Sequence, residues 1–220
     1  MKMFLDSAKT DEIKHALEMW DVDGVTTNPR HVCDSGKPFR TVIEEIAELV
    51  AGTEKCVSVE VNPHLTDWEQ MVAEALELAA ISPNFVIKVG VSEAGFRATR
   101  ELAGNGIRVN ATLIHTVPQA WQAARAGAAY VSPFLGWKEQ YGDLAESMIP
   151  EVAVMLENYG YESEIIAAAI RNSLQISEAA LAGAHCITAG FAVYQDSFRN
   201  PYTNMGEQIF QNAWDATPEK

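Results

Sequence analysis

The sequence predicts an α/β fold, a (β/α)8 barrel with an extra C-terminal helix, on three observations. Eight short β-type runs alternate with amphipathic helical stretches along the 220 residues, no block holds strands alone, and the length suits a barrel. An open doubly wound sheet is the competing arrangement, but neither G-x-G-x-x-G nor a P-loop follows the first run. No linker, low-complexity stretch or charge block divides the chain, so residues 1–220 are expected to form a single barrel domain.

The runs follow in order. MFLD (3–6) opens the barrel, and GVTTN (24–28) is rich in β-branched residues. Val42, Ile43, Ile46, Leu49 and Val50 recur at helical spacing before the third run, VSVEV (57–61). Thr66-x-x-Glu69 reads as a capping box opening the third helix, ahead of FVIKV (85–89). IRVNATL (107–113) and YVSPF (130–134) come next, with Gly127-Ala128 marking a helix end between them. Met148, Ile149, Val152, Met155 and Leu156 give another apolar helical stripe before IIAAA (165–169). Gly183-Ala184 closes a further helix just before HCITA (185–189). A last helix, about Asn204 to Trp214, carries Met205, Ile209, Phe210, Ala213 and Trp214, and would either cover the barrel or dock on another subunit.

Composition narrows the function. A net charge of −14 argues against a nucleic-acid binder and requires that any anionic substrate be held by a local cluster of donors. Cys33, Cys56 and Cys186 are odd in number and scattered, which disfavours a disulfide framework. The opening MKMFLDSAKTDE reads as neither a signal peptide nor a membrane span, so a cytoplasmic enzyme is expected.

Barrel active sites lie at the C-terminal ends of the strands, and side chains two apart in a strand share a face. Asp6 ends the first run, Asn28 ends the second with Thr26 on its face, and Glu60 and Lys88 fall late in the third and fourth. Asn110 and Thr112 lie late in the fifth. Taken singly, each also reads as a cap or turn residue; five strands sending polar groups to one mouth point to a catalytic cluster. Lys88 is the sharpest signal, because burying an unpaired ammonium is costly. A poorly solvated lysine is expected to have a lowered pKa and to act as a nucleophile, forming a Schiff base with a ketone and serving as electron sink for carbon–carbon cleavage. Neutralisation by Glu60 on the next strand is the purely structural reading, although a buried ion pair adds little net stability.

The set LDS (5–7), GVTTNP (24–29), FVIKV (85–89), NATLI (110–114), GAAYVSPF (127–134) and AGAHCIT (182–188) resembles the small transaldolase and fructose-6-phosphate aldolase family of class I aldolases, over nearly the whole chain. The resemblance implies a (β/α)8 fold with neither metal nor organic cofactor and a homo-oligomer of unspecified size. It makes Lys88 the Schiff-base residue and Asp6 the acid/base for the C4-hydroxyl proton. It also makes Asn28 the partner of the dihydroxyacetone unit and Thr112 the holder of a catalytic water. Thr26, Asn110 and Ser132 are implied to bind substrate. Glu60 and Phe134, where the aldolases tend to carry Gln and Tyr, look like the transaldolase branch. A carboxylate there can activate water, and no tyrosine hydroxyl protonates the enamine.

The anion site departs from the family pattern. Trp137 in SPFLGWKE (132–139) stands where the phosphate-binding arginine belongs, Ala169 replaces a serine, Arg171 is kept, and Arg30 and His31 follow TTNP. A phosphate monoester approaches a dianion and suits arginine forks. A sulfonate is a monoanion and needs less compensating charge. With NPRH and GWKE, the chain looks like the sulfofructose transaldolases of sulfoglycolysis, with Arg30, Trp137, Lys138 and Arg171 as candidate anion binders. An ordinary pentose-phosphate transaldolase or a fructose-6-phosphate aldolase is the alternative. His31, His64, His115 and His185 show neither H-x-H nor H-E-x-x-H spacing, so each reads as a loop or supporting group and not a metal ligand.

Overall fold

Eight parallel strands pair in chain order and close into a barrel through β1 and β8, in a computed structural model that describes residues 1–143, 145 and 147–218. The elements are β1 (Lys2–Asp6), α1 (Thr10–Met19), β2 (Gly24–Thr26), α2 (Pro29–Ser35), α3 (Phe39–Val50), β3 (Cys56–Glu60), α4 (Trp68–Ala79) and β4 (Phe85–Gly90). They continue with α5 (Glu93–Gly104), β5 (Val109–Ile114), α6 (Val117–Arg125), β6 (Tyr130–Pro133), α7 (Leu135–Gln140) and α8 (Met148–Tyr159). The last are β7 (Glu164–Ile170), α9 (Ser173–Leu181), β8 (Cys186–Ala189), α10 (Phe191–Ser197) and α11 (Pro201–Asp215).

Period-two alternation divides the buried side chains into two sets. One set (Leu5, Val25, Val57, Val59, Ile87, Val89) faces outward and packs against Val42, Ile43 and Ile46 of α3 and their counterparts on the other helices. The other, Phe4, Cys56, Val86, Tyr130, Ile166 and Cys186, forms a separate apolar layer inside the barrel. Two residues further along the same strands stand Asp6, Ser58, Lys88, Ser132, Ala168 and Thr188. The apolar layer is therefore the floor of a site whose polar groups are one pleat higher.

Two expectations about local structure need correction, and one is resolved. Asp67, not Thr66, caps α4: its side chain accepts the amides of Glu69 and Gln70, and a carboxylate at that place also suits the helix dipole. The segments after β2, β6 and β8 hold the additional short helices α2, α7 and α10, which strand–helix alternation alone does not reveal. The terminal helix is longer than expected, opened by Asn200 and Pro201, and none of its residues is buried. It does not cover the barrel. Gly127 and Gly183, both at positive φ, do end α6 and α9. Among the described residues no helix is long and apolar enough to cross a membrane.

Candidate active site

A cavity of about 550 Å³ opens at the C-terminal ends of the strands. Asp6, Thr26, Asn28, Glu60, Lys88, Asn110, Thr112, Ser132 and Phe134 all line it, as do Arg30, Trp137 and Arg171. The register explains the convergence: Asp6 pairs with Thr26, Glu60 with Lys88, Lys88 with Asn110, and Gly90 with Thr112 on neighbouring strands.

Lys88 is 5% exposed. Its ammonium donates to the Thr27 carbonyl at 3.0 Å and lies 3.3 Å from a Glu60 carboxylate oxygen. A buried pair of this kind costs desolvation that its attraction roughly offsets, so stability alone does not explain it. Asp6 is held on both oxygens. Thr26 donates to Oδ1 at 2.7 Å and is itself 2.6 Å from the Thr188 hydroxyl, while His31 Nε2 stands 3.4 Å from Oδ2. Burial pushes the Asp6 carboxyl up, but the His31 contact, the Lys88 charge and the Thr26 hydroxyl together bring it below the ordinary aspartate value.

Ser132 does not present its hydroxyl freely: it donates to Asn110 Oδ1 at 2.7 Å, and Asn110 donates to Ser58 at 3.1 Å. That bond fixes the Asn110 carboxamide, and Ser132 itself lines the cavity. The Asn28 carboxamide oxygen accepts the His31 amide at 3.0 Å as the N-cap of α2, so its amide nitrogen is the group left for a ligand. Thr112 is the opposite case. Its Oγ1 is the one buried side-chain nitrogen or oxygen among the described residues with no hydrogen-bond partner, an arrangement that costs about 1–3 kcal/mol. The register of β5 slips between Ala111 and Ile114, with Leu113 at φ 62°, and β7 slips likewise between Ala167 and Ile170, with Ala169 at φ 58°. A left-handed non-glycine residue costs roughly 1–2 kcal/mol, so both strands are strained where they meet the cavity.

The anion-binding candidates separate. Arg171 follows β7; its amide donates to Gln175 Oε1 at 2.6 Å, and Gln175 in turn binds Glu139 of α7. Its guanidinium has no partner among the described residues. Gly136 makes room for it, because a Cβ there would collide with the Ala169 carbonyl and the Arg171 side chain. Arg30 is 78% exposed, with Asp34 at 3.8 Å. Trp137 packs edge-on to Phe134 at 5.2 Å and stacks toward His115 at 6.1 Å. Burial, aided by the Lys138 charge, lowers the His115 pKa. Lys138 is not among the residues that line the cavity; its ammonium is engaged by Asp143 at 2.9 Å and by the His115 carbonyl at 3.5 Å. It braces the segment that carries Trp137.

Two residues of the site, Ser58 and Thr188, were missed from the sequence, and His31, read there as a loop or supporting group, was not tied to Asp6. Ser58 and Thr188 follow from the same period-two rule, each standing two residues after an apolar floor residue. His31 left a fainter signal, three positions beyond the capping Asn28, where a helix brings the side chain back over the strand end. The histidines do not converge. His31 is beside Asp6, His115 lies under Trp137, and His185 accepts the Ile165 amide at the far end of the barrel. Among the described residues no three His, Cys, Asp or Glu side chains could jointly hold a metal.

Comparison with known proteins gives four findings. The family model for transaldolase/fructose-6-phosphate aldolase matches residues 3–219. A protein named 6-deoxy-6-sulfo-D-fructose transaldolase from Priestia megaterium is 50% identical over 218 residues, covering 99% of this chain and 96% of its own length. A probable transaldolase of Heliobacterium modesticaldum is 43% identical over the full length of both chains. Among solved structures, thiamine phosphate pyrophosphorylase from Pyrococcus furiosus superposes with a TM-score of 0.62 at 12% identity, over 86% of this chain and 84% of its own, a likeness of fold alone.

Proposed function

We propose that this chain, which belongs to the transaldolase/fructose-6-phosphate aldolase family, moves a dihydroxyacetone unit from 6-deoxy-6-sulfofructose to glyceraldehyde 3-phosphate. The products are 3-sulfolactaldehyde and fructose 6-phosphate. The class I, Schiff-base character is that of the family. The observation that carries the finer reading is the makeup of the cavity rim, where Trp137 and Ala169 stand beside an Arg171 guanidinium that has no partner among the described residues. Such a rim offers few charged donors, which suits a monoanionic sulfonate better than a near-dianionic phosphate. The identity to the Priestia protein supports the same assignment.

In this reading Lys88, with its proton passed to Glu60, attacks C2 of the ketose. The carbinolamine loses water, which Thr112 Oγ1 holds and Glu60 protonates or deprotonates as each step requires. Asp6 takes the C4-hydroxyl proton as the C3–C4 bond breaks. The bonding pair forms the C2–C3 double bond of an enamine, and the iminium nitrogen accepts the displaced π electrons. Sulfolactaldehyde departs. Phe134 has no hydroxyl with which to protonate the enamine, so the three-carbon unit waits for an acceptor. The enamine attacks the carbonyl carbon of glyceraldehyde 3-phosphate, Asp6 returns its proton to the new alkoxide, and hydrolysis frees the product from Lys88. Asn28 and Asn110, the latter fixed by Ser132, bind the dihydroxyacetone hydroxyls, and Thr26 orients Asp6.

The proposal includes a cytoplasmic enzyme whose residues 1–220 act as one barrel domain, consistent with three unpaired cysteines. It also includes a homo-oligomer, because α11 exposes Met205, Ile209, Phe210 and Trp214. An ordinary transaldolase acting on fructose 6-phosphate is the second reading, favoured by the retained Arg171. The ratio of kcat/KM for the two donors, with glyceraldehyde 3-phosphate as acceptor, decides between them. Sulfofructose is expected to be the better donor. An equal or reversed preference would remove the sulfonate assignment while leaving the lysine chemistry intact.

A further inference from the structure

The junction of β2 and α2 brings an imidazole to the carboxylate that the reading above uses as acid and base. Asn28 caps α2 through the His31 amide, and Pro29 occupies the first helical position, so the first turn of α2 is fixed in place. His31 Nε2 then stands 3.4 Å from Asp6 Oδ2, with the two side chains 27% and 20% exposed. The other oxygen, Oδ1, accepts from Thr26, which the Thr188 hydroxyl anchors in turn. One holder is a hydroxyl that keeps its charge state. The other is an imidazole, which adds a positive charge when it is protonated.

We infer that His31 is a positioning residue for the proposed transfer: by holding Asp6 Oδ2 it fixes the carboxylate plane and sets the lower end of the pH range in which Asp6 can take the C4-hydroxyl proton. The inference rests on the reading of Asp6 as the acid/base. The charged or titratable groups that act on Asp6 are His31 from α2, Lys88 from β4 and Tyr194 from α10. Arg30, Asp34, Glu60 and Arg171 line the same cavity. After burial, the His31 contact is the largest influence on the carboxyl and it lowers the pKa. In the Schiff base the Lys88 nitrogen is positive again as the iminium, and that charge is lost only as the enamine forms. His31 and the Thr26 hydroxyl are the groups that touch the Asp6 carboxylate directly. The proton travels from the C4 hydroxyl to Asp6 and later back to the new alkoxide; none needs to leave His31.

The test is the pH profile of kcat/KM for His31→Leu and His31→Gln beside the wild-type enzyme, measured with whichever donor the wild type prefers. An opposite charge at this distance moves a carboxyl by about 1–3 pH units, so the acidic limb of His31→Leu should lie about one unit or more higher. His31→Gln retains an N–H donor without the charge and should fall between the two; it also carries the test should the leucine variant fail to fold. An acidic limb unmoved in the folded variants, whatever happens to the plateau, overturns the role of His31. Borohydride trapping of the donor keeps the two claims apart. An adduct on Lys88 in wild type and variants leaves the proposed chemistry standing, whereas its absence from the wild type strikes the reading of function instead.

Discussion

The inner ring of the barrel and its outer rim are built on different principles. Inside, nearly every polar group is committed: Lys88 to Thr27 and Glu60, Asp6 to Thr26 and His31, Asn110 to Ser58 and Ser132. Apart from the His31 contact, which the cap of α2 supplies, these contacts follow from how the strands are paired, so none can shift without disturbing its neighbours. At the rim, Arg30 and Arg171 are exposed, and Trp137 is 40% exposed among rings on short helices and loops. The rim is supported mainly from behind, by Gln175, Glu139, Gly136 and Lys138. On the proposed function, the difference teaches that the bond-breaking chemistry would be held by the barrel, and selectivity for the anion by segments that follow the strands and can change without rebuilding it.

Three substitutions would sharpen or break that division. The largest effect is expected from Asp6→Asn, which removes the proposed acid/base and should lower kcat by about 10²–10⁴-fold while the donor still forms its adduct on Lys88. Single-turnover kinetics combined with trapping would measure both. If Asp6→Asn abolishes the adduct as well, ring and reaction cannot be divided in this way. Next, Arg171→Ala removes a charged hydrogen bond worth about 1.5–3 kcal/mol, so kcat/KM for the sulfonated donor should fall roughly 10–150-fold, carried chiefly by KM. A fall confined to kcat would place Arg171 in the chemistry. The smallest effect is expected from Lys138→Ala. It breaks a largely solvent-screened pair with Asp143 worth no more than about 1 kcal/mol, so donor kcat/KM should change less than about fivefold. A loss as large as that of Arg171→Ala would return Lys138 to the anion site.

The same division decides what was legible in the sequence. Strands announce themselves by local pattern, and period two then places Asp6, Glu60, Lys88, Asn110 and Thr112 at one mouth; register does the rest. The rim depends on how the segments after β2 and β6 turn back over the barrel, and nothing in a strand pattern encodes that. Lys138 shows the cost. Its charge and its position beside Trp137 made it a candidate, but one turn of α7 directs it to Asp143 and the His115 carbonyl. His31 shows the converse, a loop residue that the α2 cap brings to Asp6. The free hydroxyl of Thr112 and the left-handed Leu113 and Ala169 are products of slipped register, visible only once the strands are paired.

The central claim is that the Lys88 nitrogen bonds to the sugar. Incubating the protein with sulfofructose or fructose 6-phosphate, reducing with borohydride and locating the added mass by peptide mapping tests it directly. The account predicts one adduct per chain, on the peptide containing Lys88, and none in Lys88→Met. Reduced protein of unchanged mass, or an adduct that persists in Lys88→Met, would contradict it.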